Sequence, residues 1–385
     1  MDAPLSPDAP MDPIAAVTHP DPYPHYATWR DGPALAWVPP RGVWMATRGD
    51  VVRRLLATPA LRVRPVTEPV PAALLGRPAG ELFGLLIRMN DGPVHDAHRP
   101  AIGQALAGLS LPQVRARALA LARAQAGRGT LDDALFELPV QAVAQALGFA
   151  AAELPRVAAW VREFVACLSP LAGTDDLNRA HRAAESLMAR MTRLVADAAP
   201  RDASLLQAVQ AGGGAQARSA RPLIANLVGL LSQTCDATAG LVGNSLLAWA
   251  RHGAPPPDAT PPAWIEEVAR HDAAVQNTRR FVAEDTVLEG QPLRAGDVVL
   301  LVLAAAQRDP AMNPAPDRFD PERPARQLLG FGHGPHACPG QALATLLAGA
   351  AVQALREQGL DREAVARHAG RYRASVNTRI PSWES

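Results

Sequence analysis

From about residue 94 to 212 the apolar positions recur at helical spacing among Ala, Leu and Arg, which predicts an almost wholly helical stretch. The longest apolar pattern in the chain follows at 223–251. It is apolar on most faces, broken only by small and polar residues at 233–239, so it predicts a buried helix. Elsewhere the period changes. Residues 34–46 alternate around Trp37 and Trp44 and predict a β-hairpin turning at 39–42. Short helices are predicted at 50–57 and 264–272, several strands at 275–301 with a turn at Glu289-Gly290, and a helix at 341–358. A terminal strand pair is predicted at 372–380. Proline punctuates a long loop at 65–78, a rigid linker at 255–262 and an irregular meander at 308–327. The glycine run at 212–214 predicts a flexible break. The proline-rich, acidic residues 1–20 predict a flexible arm, disordered or loosely wrapped, ahead of one large unit over 21–385. The fold class is mainly α with a minor β-sheet region.

Composition narrows the function. The 385 residues are 48% hydrophobic, enough for a sizeable core, and the formal net charge is +1. Such balance gives no electrostatic reason to expect nucleic acid or a membrane as partner. The longest apolar runs, such as 298–306, are too short to span a bilayer, and no signal peptide is visible. Three widely spaced cysteines, Cys167, Cys235 and Cys338, make no disulfide framework. A reducing, cytoplasmic setting and a monomeric protein are expected.

One of those cysteines carries the candidate chemistry. Cys338 lies in Phe331-Gly332-His333-Gly334-Pro335-His336-Ala337-Cys338-Pro339-Gly340, with an apolar helical run directly behind it. Backbone N–H groups and the positive end of a helix stabilise a thiolate. The glycines let a flat group press close. No second cysteine stands at zinc-ligand spacing. The run fits Phe-x-x-Gly-x-x-x-Cys-x-Gly in full and resembles the haem-ligand loop of the cytochrome P450 family, with the resemblance extending from about residue 21 to 380.

That resemblance implies a single haem-thiolate fold binding haem b, with Cys338 as axial thiolate ligand and Phe331, Gly332 and Gly340 shaping the loop. It implies that Glu267 and Arg270, a Glu-x-x-Arg pair on one helix face, lock the meander at 317–323, with Arg318 completing the ion network. It assigns the haem propionates to His95 and Arg99, to Arg280 on a strand, and to His336, since propionates suit charged donors. The implied activity is insertion of one oxygen atom from O2 into a small to medium, mostly apolar substrate. Thiolate ligation favours that oxygen chemistry. With no dinucleotide fingerprint in the chain, electrons are expected from a ferredoxin or flavodoxin with its reductase, docked by basic residues such as Arg99 or Arg323. The pocket is expected to draw on Val66, Leu85, Leu86, Arg88, Gln233, Thr234, Val275 and Gln276, and to close near Val376 and Asn377.

The long helix departs from the family. Its usual acid-alcohol relay reads here Gln233-Thr234-Cys235-Asp236-Ala237-Thr238. The acid is kept as Asp236, but Ala237 replaces the relay alcohol, and a methyl group neither donates a hydrogen bond nor holds a water. Thr238 is rotated by roughly 100° and is no simple substitute. Gln233 and Thr234 share the face of Ala237. They, an ordered water or a substrate hydroxyl are the candidate replacements; the alternative is that Gln233 and Thr234 only hydrogen-bond the helix backbone and shape the pocket. A second class of activity stays open: use of peroxide in place of O2, or a non-oxygenating haem-thiolate reaction. A haem-binding sensor is a third.

Overall fold

The computed structural model describes residues 12–125, 129–197, 205–212, 221–253, 262–367 and 370–384. The expected proline linker, except Pro262, and most of the glycine break lie outside them. A large helical body carries a small sheet at one edge. Several helices begin with proline in the first turn, among them Pro78–Leu85, Pro93–Ala107 and Pro262–His271. There the missing N–H leaves no bond unmade. Helix Leu131–Leu147 starts instead on a capping box between Thr130 and Asp133. The long helix Arg221–His252 runs through the body with most of its residues buried. It packs on Leu131–Leu147 and on Gln341–Glu357, the helix behind the cysteine. The latter, with its lead-in, is apolar enough to cross a membrane by composition, but over half of it is buried inside the molecule. Its apolarity is that of a core helix.

The hairpin pairs β1 (Ala36–Val38) with β2 (Val43–Ala46), in register Trp37 to Trp44. With β3 (Leu61–Arg62), β4 (Thr278–Val282) and β7 (Val298–Leu301) it forms a five-stranded sheet in the order β1-β2-β7-β4-β3. Strands β5 (Thr286–Leu288) and β6 (Gln291–Leu293) make a separate hairpin, turning at Glu289 and Gly290, which both have positive φ.

Two expectations are corrected at the chain ends. The described part of the expected arm, residues 12–20, is packed: Ala16 and Val17 are fully buried. Arg379 holds it there by donating to the carbonyls of Val17, His19 and Pro20 while its Nε pairs with Asp272 at 3.0 Å. The terminal strand pair reduces to two isolated bridges, Val275 with Thr378 and Tyr372 with Pro381. Backbone bonds hold this segment, from the Gln276 N–H to the Asn377 carbonyl at 2.8 Å and from the Arg379 N–H to the Ala274 carbonyl at 2.7 Å, joined by side-chain bonds from Arg379 and from Asn277, which donates to the Val376 carbonyl.

The C-terminal segment crosses the long helix at Gly240. A Cβ there would stand 2.7 Å from the Arg379 carbonyl oxygen and 2.9 Å from the Ala274 Cβ. Both obstacles are rigid, so Gly240→Ala is expected to cost about 1–3 kcal/mol. A lower urea midpoint at unchanged slope is the measurement.

Candidate functional site

The cysteine loop consists of two 3-10 turns, Leu329–Phe331 and Gly334–His336. Gly332 between them has φ +74°, and a Cβ on it would meet the His336 carbonyl oxygen at 3.0 Å. Glycine is therefore required for both conformation and space. The Cys338 N–H closes the loop on the Phe331 carbonyl at 2.7 Å. Gly340 caps the helix Gln341–Glu357, and its N–H is directed at the Cys338 sulphur. Burial pushes the Cys338 thiol up, while the Gly340 N–H and the Arg99 charge pull it down.

The sulphur opens on a cavity of about 1300 Å³, lined also by Phe331, Gly332 and Gly340. Ordinary small-molecule pockets measure roughly 300–1,000 Å³, so this one has room for a macrocycle and a substrate together. His95, Arg99, Arg280 and His336 line the same cavity. The Arg280 guanidinium is buried, bonded among the described residues only to Thr278 Oγ1 and the Arg279 carbonyl at 3.1 and 3.0 Å. Arg99 donates to the carbonyl of Ala337, next to the cysteine. The rings of His95 and His336 lie 4.5 Å apart. A thiol and four cationic or N–H donors facing one cavity fit a haem with its two propionates. Among the described residues no group of three or more His, Cys, Asp or Glu converges as a bare metal site would require.

Asp91 is a member of this cluster that its sequence context did not single out. Its Oδ1 lies 2.9 Å from His336 Nε2, and its Oδ2 accepts from the Val63 N–H at 3.0 Å. Burial raises the Asp91 carboxyl, but His336, Val63 and Arg62 together hold it below its ordinary value. It fixes the orientation of the His336 ring.

The ion network also differs from expectation. Arg270 donates to both oxygens of Glu267, at 3.0 and 2.7 Å, with both side chains fully buried. Arg318 does not complete this pair through its guanidinium, which is exposed and faces Asp320 at 3.3 Å. Its carbonyl takes part instead, accepting from Arg270 and Arg323, each at 3.0 Å. The further cations on Glu267 are Arg326, at 3.0 Å, and Arg323, at 3.5 Å. Arg323 is buried among meander carbonyls and is unavailable to a docking partner. Gln307, also missed, joins this network to the cysteine loop. Its Nε2 donates to the Ala269 carbonyl at 3.0 Å and its Oε1 accepts from the Gly330 N–H at 2.6 Å.

On the long helix, Gln233, Thr234, Asp236, Ala237 and Thr238 all line the cavity. Thr234 donates its hydroxyl to the Leu230 carbonyl at 2.8 Å, and Gln233 its amide to that of Gly229 at 2.9 Å. Both remain acceptors toward the cavity. Burial pushes the Asp236 carboxyl up, opposed by contact with Cys235 and by the charges of Arg373, Arg88 and Arg162. Of the expected pocket residues, Arg88, Val275, Val376 and Asn377 line the cavity, but Val66, Leu85, Leu86 and Gln276 do not. Val66 is exposed and Leu86 is in the core. Gln276 is fully buried, held by the Tyr26 hydroxyl and the Ala273 carbonyl at 2.7 and 2.6 Å.

The chain is similar to known proteins along most of its length. The cytochrome P450 family model matches residues 262–355, which span the Glu267 helix, the meander and the cysteine loop. The cytochrome P450 monooxygenase PikC of Streptomyces venezuelae is 30% identical over 88% of this chain and 84% of its own. Vitamin D(3) 25-hydroxylase of Pseudonocardia autotrophica is 32% identical over 85% of this chain and 83% of its own. The solved structure of CalO2 superposes with a TM-score of 0.80 at 25% identity, covering 97% of both chains. The chain belongs to the cytochrome P450 family, the haem-thiolate monooxygenases whose haem b is ligated by a cysteine.

Proposed function

We propose that this chain inserts one oxygen atom from O2 into a small to medium, mostly apolar organic molecule, with Cys338 as axial ligand and Asp236 as the acid that delivers protons. The haem supplies the oxygen activation when bound. His95, Arg99, Arg280 and His336 hold its propionates, and Asp91 steadies His336. A separate ferredoxin or flavodoxin with its reductase supplies the electrons, and the protein acts as a cytoplasmic monomer. The observation that carries the reading is Asp236. It is a carboxyl held toward its protonated form by burial, on the cavity wall that also bears Ala237. A group poised this way suits proton delivery. Because Thr234 and Gln233 donate to helix carbonyls, a water or a substrate hydroxyl takes the place of the relay alcohol, with these two side chains as acceptors.

Asp236→Asn tests this reading against peroxide use. Turnover driven by NADH, reductase and ferredoxin is expected to fall by about 100-fold, with peroxide-driven turnover largely kept. Loss of neither activity, or equal loss of both, refutes the relay. Should peroxide alone drive the wild-type protein, the peroxygenase reading replaces it. Gln233→Ala and Thr234→Ala are expected to change the fraction of NADH recovered as product less than Asp236→Asn does.

A further inference from the structure

We propose that Arg88 is the anchor of an anionic substrate, and that the molecule oxidised here is an amphiphilic carboxylate: an apolar body with one carboxylate. The inference rests on the cavity along the long helix being the substrate pocket.

Arg88 sits in the 3-10 turn Ile87–Met89, and both sides of that turn are tied down. The Ile87 N–H donates to Asn226 Oδ1 on the long helix at 2.8 Å, and Asn226 Nδ2 returns a bond to the Leu85 carbonyl at 3.0 Å. Asn90 Nδ2 donates to the carbonyls of Gly84 and Leu86, at 3.0 and 2.7 Å. The backbone is held while the Arg88 side chain lines the cavity. That side chain is exposed within the cavity lining, and the protein packed around it lowers its pKa. The guanidinium makes no hydrogen bond or ion pair with any described residue. A guanidinium lining a cavity with no partner of its own is free to take an anionic ligand, and a carboxylate matches its planar fork with two parallel hydrogen bonds.

Apart from Arg279 on β4, whose exposed side chain also has no partner among the described residues, the other charges of the cavity do not fill that role. Seven arginines line it against three carboxylates. Arg179 pairs with Asp176 and Arg162 with Asp133. Arg373 lies over the Phe136 ring. Asp236 is within electrostatic reach of Arg88 but forms no ion pair with it, and burial favours the neutral form of that carboxyl. Nor is Arg88 one of the propionate donors. The charged group felt by Arg99 is Cys338, and that felt by Arg280 is Asp91. Arg88 instead feels Asp236, the acid on the long helix. Leu74, Ile87, Leu230 and Val275 supply apolar surface in the same cavity, which suits the body of such a substrate.

The test is a titration of the ferric holoprotein with decanoic and myristic acids and with their methyl esters, read by the Soret shift. At least one acid is expected to bind about 10-fold or more tightly than its ester. Arg88→Leu is expected to weaken that acid by about 10- to 100-fold, leaving the ester within twofold. Arg88→Lys is expected to recover part of the loss, and the reduced-CO spectrum of both variants to match wild type. Equal binding of acid and ester by wild type overturns the proposal, as does an acid affinity that survives Arg88→Leu. The wild-type acid-to-ester ratio decides the matter even where a variant folds poorly. Because these are binding measurements, they stand apart from the oxidant and relay experiments: failure here leaves the oxygenase reading intact, and failure there leaves this one intact.

Discussion

Cys338→Ala is expected to abolish the thiolate band of the reduced-CO spectrum and all turnover above background, while leaving the fold close to wild type in stability. The loop does not depend on the sulphur for its shape. It is closed by the Cys338 N–H on the Phe331 carbonyl, by the positive φ of Gly332 and Gly334, and by the bond from Gln307 to the Gly330 N–H. All of these survive the substitution. The donors assigned to the propionates survive it too, so the variant is expected to take up some haem, without an axial thiolate. No other cysteine can replace it. Cys167 and Cys235 are buried, and burial pushes the first up to about 12 and the second well above its ordinary value. Electrons pushed by an axial thiolate distinguish this haem chemistry from mere haem binding. A variant retaining the thiolate band would disprove the assignment of Cys338. A denaturant midpoint far below wild type would disprove the claim that the loop is self-supporting.

How much of this was legible beforehand depends on the range of the interaction concerned. The loop of Cys338 is local. Its glycines, the cysteine and the following helix lie within a few turns of chain, so sequence alone located them. The same holds for the hairpin, whose register at Trp37 and Trp44 follows from alternation, and for the pair Glu267–Arg270 on one helix face. What escaped is contact set by tertiary approach. Arg318 is the nearest of Arg318, Arg323 and Arg326 to Glu267 along the chain, so sequence distance gives no reason to pass it over. Only the path of the meander decides that the first turns outward and the others inward. Gln307 and Asn313 are fully buried, yet on composition they look like any polar loop residue. Asp91 next to His336 joins positions 245 apart. Residues 12–20 look like a free arm because their partner, Arg379, stands at the far end of the chain. At the long helix the sequence located Asp236 and Ala237 and left two readings of Thr234 and Gln233 open; their bonds to the Leu230 and Gly229 carbonyls are those of the backbone-bonding one.

The second large effect is predicted for Glu267→Gln, which is expected to destabilise the protein by about 3–5 kcal/mol and to yield little holoprotein. Glu267 is fully buried and is the anion on which Arg270, Arg323 and Arg326 converge. It also accepts from the Asp320 N–H at 2.9 Å. Glutamine keeps the volume but removes the charge and one acceptor, leaving buried guanidiniums uncompensated, the costly half of breaking such a pair. The damage is expected to reach the cysteine loop, because the Glu267 helix bonds through Gln307 to Gly330. The pH dependence follows from the same group. Burial works against ionisation of Glu267, but Arg270, the Asp320 N–H and Arg323 outweigh it and hold the carboxyl below its ordinary value. A depressed folded-state value means that the contribution is complete above the unfolded-state pKa, roughly 4.3, and is lost as pH falls through the folded-state value. Wild-type stability is therefore expected to fall steeply only below about pH 4 on this account. That part of the acid slope is expected to be missing from Glu267→Gln, whose stability is already reduced at neutral pH. Urea midpoints for both proteins across pH 3–7 check this. Parallel curves would show that the Glu267 carboxylate is not what holds the meander beneath the cysteine loop.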